Sequence, residues 1–247
     1  TQGCFKMTDY HVHIGQFDKA YYFADRVFSA LKASGVDEVY FSSTTSCLYC
    51  PPKDLYEGVR GEVKDALSAT AKIGIKAHAL YWVVPDVRFS GISTEQAMGE
   101  IAYDGFKIHP RAQKWNLGDE GIRSLAEEIF SYAEKHDKMI LIHCDEDYPP
   151  TLFEPLIKAH PASLVQLAHC RPLFDTLHML QNYPNVFADT AMADSATVSA
   201  LRGGGFSERI RFGSDFPITH WRQTNPQSDP TGRELREFLR KRGFCAR

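Results

Sequence analysis

Short runs rich in β-branched and aromatic residues alternate along the chain with longer stretches in which apolar residues recur every three or four positions. The short runs read as strands at 5–13, 36–44, 76–84, 104–109, 138–144, 163–169, 185–191 and 209–215. The longer stretches read as helices, most clearly over 119–136, where Ile122, Leu125, Ala126, Ile129 and Ala133 form one apolar stripe. Thr151 and Glu154 have capping-box spacing, and Asp194 before Ser195 has the chemistry of an N-cap. The alternation predicts βα units around a parallel sheet. Eight units in 247 residues predict an α/β fold, a (β/α)8 TIM barrel with one domain over 1–247. A doubly wound open sheet is the alternative arrangement of the same elements. The stretch from Arg233 to Arg242 reads as an amphipathic helix with a solvated basic face.

Composition removes several function classes. A hydrophobic fraction of 43% can supply a sizeable core, and a net charge of −3 gives no electrostatic footprint for nucleic acid. No apolar run approaches the roughly 20 residues of a membrane span, so no membrane partner is expected. Six cysteines do not make a disulfide scaffold. Cys144 and Cys170 directly follow strand-end histidines, which suits a reducing, cytoplasmic setting. Cys47-Leu48-Tyr49-Cys50 reads as a loop after the second strand. The expected partner is a small-molecule substrate, with a homo-oligomer left open.

The candidate chemistry lies where strands end. His11 and His13, in Asp9-Tyr10-His11-Val12-His13, share one face of the first strand at about 6.6 Å spacing. Lys107, His143, His169 and Asp215 then fall at the ends of strands four, five, six and eight. His13 and Lys107 are 94 residues apart, three units of about 31, the unit length a barrel of this size requires. A closed barrel brings all these ends to one mouth. An open sheet spreads them along one edge.

Four histidines and a carboxylate at one mouth suit a divalent metal, zinc before others. Imidazoles bind this borderline ion, and a carboxylate lowers the site's charge. His11, His13, His143, His169 and Asp215 are the candidate metal ligands. An open coordination position would activate water, with Asp215 as its proton acceptor. His169 is also a candidate catalytic residue, a non-ligand that polarises substrate or holds the water. Lys107 binds an anionic substrate group, forms a salt bridge with Asp9 or Asp145, or, once carboxylated, bridges two metals. Arg111, Arg171 and Arg222 follow strands four, six and eight and can grip a carboxylate or phosphate. Tyr81, Trp82 and Trp221 can wall an apolar or aromatic ligand.

The set Asp9-x-His11-x-His13, Phe106-Lys107, His143, His169 and Gly213-Ser214-Asp215-Phe216-Pro217 resembles the amidohydrolase superfamily. It is most similar to the amidohydrolase-related group that includes mononuclear-zinc decarboxylases and lactonases. That resemblance implies His11, His13, His143 and Asp215 as metal ligands, with His169 near the substrate. In the binuclear branches, resembling phosphotriesterase, urease and dihydroorotase, it implies Lys107 as a carbamate bridge. TatD-type deoxyribonucleases match less well, because they carry glutamate where this chain has Lys107. The expected activity is a metal-dependent hydrolase using metal-activated water on a small, anionic amide, ester or lactone. The alternative is a zinc-dependent decarboxylase of an aromatic or unsaturated carboxylic acid.

Overall fold

Eight parallel strands form where the sequence alternates apolar runs with helical segments. The computed structural model describes residues 6–17 and 20–221. The strands are β1 (Met7–Phe17), β2 (Ala20–Tyr22), β3 (Val36–Ser43), β4 (Lys76–Trp82), β5 (Gly105–Ile108), β6 (Met139–Ile142), β7 (Leu164–Leu167), β8 (Val186–Asp189) and β9 (Ile210–Arg211). They make one sheet in the order β2-β1-β3-β4-β5-β6-β7-β8-β9. Every pairing from β1 to β9 is parallel, and β2 alone runs antiparallel, against the end of β1. This hairpin was not expected from the sequence. β1 runs on to Phe17, and Gly15, at φ 87°, lets it turn past Ser43, Thr45 and Glu62.

The fold is mixed α/β, with a curled nine-strand sheet. β3 and β4 separate β1 from β5, yet the Lys107 amine on β5 lies 2.9 Å from His11 Nε2 on β1. Side chains from strands with two others between them can meet only across a concave face. The chain after β9 returns to β1: Tyr10 N–H donates to Phe212 O at 2.9 Å, Asp215 N–H to His11 O at 2.8 Å, and His13 N–H to Phe216 O at 2.8 Å. β5 and β6 are buried at every position, as expected for strands covered on both faces. Phe106, Ile108, Ile140 and Ile142 join the large core with Leu125, Ala126, Ile129 and Phe130 of the helix Glu120–Lys135. Leu80, Met139, Leu141 and Ala168 form a separate cluster on the other face. Gly105 permits that packing, since a Cβ there would stand 2.4 Å from Met139 O.

Two expected caps came out differently. Asp194 caps its helix, its Oδ1 accepting from Thr197 N–H at 2.7 Å. The capping box at Thr151 does not form. Residues Pro150–Phe153 make a 3-10 turn, the helix Glu154–Ala159 follows without a side-chain cap, and the Thr151 hydroxyl donates to Asp175 instead. Pro155 has no N–H to donate to Thr151 O, so an α-helix capped at Thr151 lacks its first intrahelical bond. Arg222, the side chain of Trp221 and the expected helix 233–242 lie outside the described residues.

Candidate metal centre and substrate cavity

The strand-end side chains converge on a cavity of about 380 Å³ lined in part by His11, His13, Lys107, His169, Arg171 and Asp215. That volume suits a small molecule. His11, His13 and Asp215 offer one ligand atom each, all within 4.8 Å of one another, and so do His11, His169 and Asp189. Four non-glycine residues at this mouth hold positive φ: His169 at 73°, Cys170 at 52°, Met192 at 59° and Asp215 at 56°. Such backbone costs about 1–3 kcal/mol per residue and clusters at functional sites.

The hydrogen bonds fix which nitrogen His11 offers. His11 Nδ1–H donates to Asp189 Oδ2 at 3.1 Å, so the neutral ring keeps its lone pair on Nε2. His13 Nδ1 meets Ser42, with the hydroxyl at 3.1 Å and the carbonyl at 3.4 Å. Its Nδ1 can donate to that carbonyl, leaving the lone pair on Nε2, or accept from that hydroxyl, leaving the proton on Nε2 to be donated to Asp215. These two Nε2 atoms lie 3.6 and 3.1 Å from the same oxygen, Asp215 Oδ1. Two imidazole nitrogens this close to one carboxylate oxygen need a proton or a cation between them, and His11 Nε2 brings no proton of its own. The donor set, two imidazoles and a carboxylate with the imidazoles anchored from behind, therefore fits a divalent metal.

Electrostatics points the same way. Burial pushes the His13 pKa down to about 4 and that of His169 down to about 3, so both rings are neutral at physiological pH. Burial alone would raise Asp215, but His11 and His13 hold its carboxyl well below the usual carboxylate range. Burial lowers the Lys107 amine to about 8. Its contact with His11 Nε2 occupies the lone pair a metal would take, so metal occupancy requires Lys107 to give up that bond. Neither Asp9 nor Asp145 receives it. Asp9 Oδ1 accepts from His11 N–H and Ser214 N–H, and burial raises its pKa to about 7. Asp145 is taken by Arg111.

The other sequence candidates are distributed unevenly. His143 lies beside the cluster: its Nδ1 is 3.0 Å from His169 Nε2, and its Nε2 is 3.1 Å from Asp145 Oδ2. His169 Nδ1 is committed to Ala191 O at 3.1 Å. Arg171 lines the cavity while its Nε donates to Cys144 O at 3.1 Å. Arg111 is instead bound to Asp145 and Asp147 and faces a separate groove. Trp82 walls the cavity, whereas Tyr81 packs outside it against Tyr103 and Phe106. An adjoining groove of about 520 Å³ shares Cys47, Leu48 and Ala112, with Asp86 and Lys114 as its charged lining. Cys47 and Cys50 are free and exposed.

Two residues absent from the sequence reading belong to this site. Asp189, at the end of β8, is fully buried. Its Oδ2 accepts from His11 Nδ1–H and from Gln166 at 2.8 Å, and its Oδ1 from the N–H groups of His169 and Ala191 at 3.1 Å each. Burial opposes its charge, but the charges and hydrogen bonds of His11 and His169 together outweigh burial and hold the pKa down at about 2. His109, just past β5, also lines the cavity. The strand-end position of the first and the parity of the second with Lys107 were the available signals. Gly213 lets the returning chain close on the site, since a Cβ there would stand 2.9 Å from His11 Cβ and 3.0 Å from Asp189 Cβ.

Residues 79–239 match the model of a family described as Amidohydrolase. A search of curated protein sequences gave no match. Among solved structures, the chain is similar to the TatD-like protein from Archaeoglobus fulgidus, with 15% identity over 94% of this chain and 99% of that one, at a TM-score of 0.57. It is similar to 2,6-dihydroxybenzoate decarboxylase from Rhizobium, with 13% identity over 94% and 99% and a TM-score of 0.54. It is similar also to the phosphotriesterase homology protein from Escherichia coli, with 14% identity over 90% and 94% and a TM-score of 0.55. At such identities the likeness is one of fold. The family match covers more than half of the chain and contains Lys107, His143, His169 and Asp215, and on that ground the chain belongs to the amidohydrolase family, a family of enzymes.

Proposed function

We propose that this chain is a zinc-dependent hydrolase of a small anionic amide, ester or lactone, built as one domain on a closed (β/α)8 barrel. The observation that carries the reading is the convergence of the His11 and His13 Nε2 atoms on one oxygen of the ionised Asp215 carboxylate, at 3.6 and 3.1 Å. His11, His13 and Asp215 would hold the ion, with His169, whose ring lies 5.2 Å from that of His11, and His143 beside it as further ligands. When bound, the metal lowers the pKa of coordinated water and polarises a substrate oxygen.

The chain's own residues supply the rest. Asp215 stays ionised at neutral pH, so it can accept the proton of the attacking water and return it to the leaving group. Asp189 keeps His11 in the tautomer that offers Nε2. Arg171 and Lys107 supply positive charge to the cavity for an anionic substrate group. Among the described residues no helix is long and apolar enough to cross a membrane, and the free thiols of Cys144 and Cys170 suit a reducing compartment.

Decarboxylation of an aromatic or unsaturated acid is the second reading. It is favoured by the aromatic side chains of Trp82 and His109 in the lining of a cavity that also holds Lys107 and Arg171. Assaying zinc-loaded protein against a panel of lactones, esters and benzoates separates the two readings. Acid release without CO₂ supports hydrolysis, and CO₂ release from a benzoate overturns it.

A further inference from the structure

His109 is the side chain at this mouth whose outward chemistry has no use within the protein. It caps the short helix Pro110–Gln113, where Ala112 N–H donates to its Nδ1 at 3.2 Å. A backbone amide can only donate, so Nδ1 carries the lone pair and the neutral ring carries its proton on Nε2. The ring is also clamped on both faces. Trp82 stacks on one side with an interplanar angle of 15°, and His143 stacks on the other, with centroids 3.8 Å apart at 12°. Turning the ring over would break the cap. Among the described residues no acceptor takes the Nε2 proton, and the ring lines the same cavity as Lys107, Arg171 and Asp215.

We propose that His109 is a substrate-binding residue: its Nε2–H is a fixed donor to an oxygen of the bound substrate, a carbonyl or a carboxylate. The proposal rests on the reading of this cavity as the substrate site. A donor locked by stacking and by a backbone amide needs no reorganisation when charge develops on that oxygen, which is where such donors act most strongly.

The test uses zinc-loaded full-length protein with ring-¹⁵N histidine, His109→Phe and His109→Gln, with inorganic phosphate as the probe. The His109 signal, identified by its loss in His109→Phe, is expected to show the proton on Nε2 and to move as phosphate saturates. His109→Phe keeps the stack without a donor and should weaken phosphate binding by about tenfold, one hydrogen bond to a charged group. His109→Gln restores a donor near the same place and should bind within about threefold of the unsubstituted protein, a loss smaller than one such bond. Zinc content should stay unchanged in both variants. A proton on Nδ1, a signal unmoved by phosphate, equal affinities in all three proteins, or no phosphate binding by the zinc-loaded protein each overturns the proposal. Zinc lost from His109→Gln would make the ring a ligand and overturn it as well. Failure of the unsubstituted protein to hold zinc would refute the metal reading instead, and the proton's position remains readable in metal-free protein.

Discussion

Replacing Asp189 by asparagine changes one atom and should disable a site it does not occupy. The carboxylate takes four hydrogen bonds, two on each oxygen. Asparagine has one acceptor oxygen. The two backbone N–H groups, from His169 and Ala191, have no freedom to become acceptors, so the remaining oxygen stays with them. The amide NH₂ then faces His11 Nδ1 and Gln166. His11 can accept from it only by moving its own proton to Nε2, the nitrogen that faces Asp215. The lone pair needed by a metal is then gone. Loss of such a supporting partner typically costs about 10–100-fold in metal affinity, or about 1.4–2.8 kcal/mol. The metal-free protein should also lose about 1.5–3 kcal/mol, the worth of a hydrogen bond to a charged group. Zinc affinity is measured by competition with a chromophoric chelator, and folding by denaturant titration. If Asp189→Asn folds and binds zinc within twofold of the unsubstituted protein, the tautomer reasoning is wrong.

Three further outcomes follow from other parts of the molecule. Gly213→Ala places a methyl against His11 and Asp189, and should destabilise by about 1–3 kcal/mol while reducing bound zinc. Denaturation and elemental analysis check both effects. His78 sits between Glu38, at 2.6 Å, and Asp104, at 3.0 Å, and although burial opposes it, the bonds to both carboxylates raise its pKa above the ordinary 6.5. Its stabilisation is full below pH 6.5 and fades as pH rises through the folded value, so His78→Gln should flatten the loss of stability seen by denaturation above that pH. Asp215→Asn should remove measurable turnover of any substrate the zinc-loaded protein hydrolyses, while the fold, followed by circular dichroism, is retained.

The strands were legible because runs such as Met139-Ile140-Leu141-Ile142 are apolar on both faces and too short for helices. β2 was not, since Ala20-Tyr21-Tyr22 is three residues long and takes its structure from pairing with β1. Likewise the capping-box spacing at Thr151 was overridden by Pro155 and by the bond to Asp175. At the site, His11, His13 and Asp215 could be found by strand parity and unit spacing, and they do meet. Asp189 shares the strand-end signal, but a single aspartate ending an apolar strand looks like an exposed strand end until the curl of the sheet buries it. Arg111 illustrates the reverse limit. Its place after a strand matched that of Arg171, but only the fold reveals Asp145 and Asp147 within its reach.

The central claim is that His11, His13 and Asp215 form a metal centre, and metal content tests it most directly. The full chain, expressed with zinc and manganese supplied and freed of loosely bound ions, is analysed by elemental mass spectrometry beside His11→Ala, His13→Ala and Asp215→Ala. The account predicts about one zinc per chain or more, as three protein ligands ordinarily hold, and its loss in each variant. A folded, unsubstituted protein holding well under one metal per chain, or variants that keep their full complement, would contradict it.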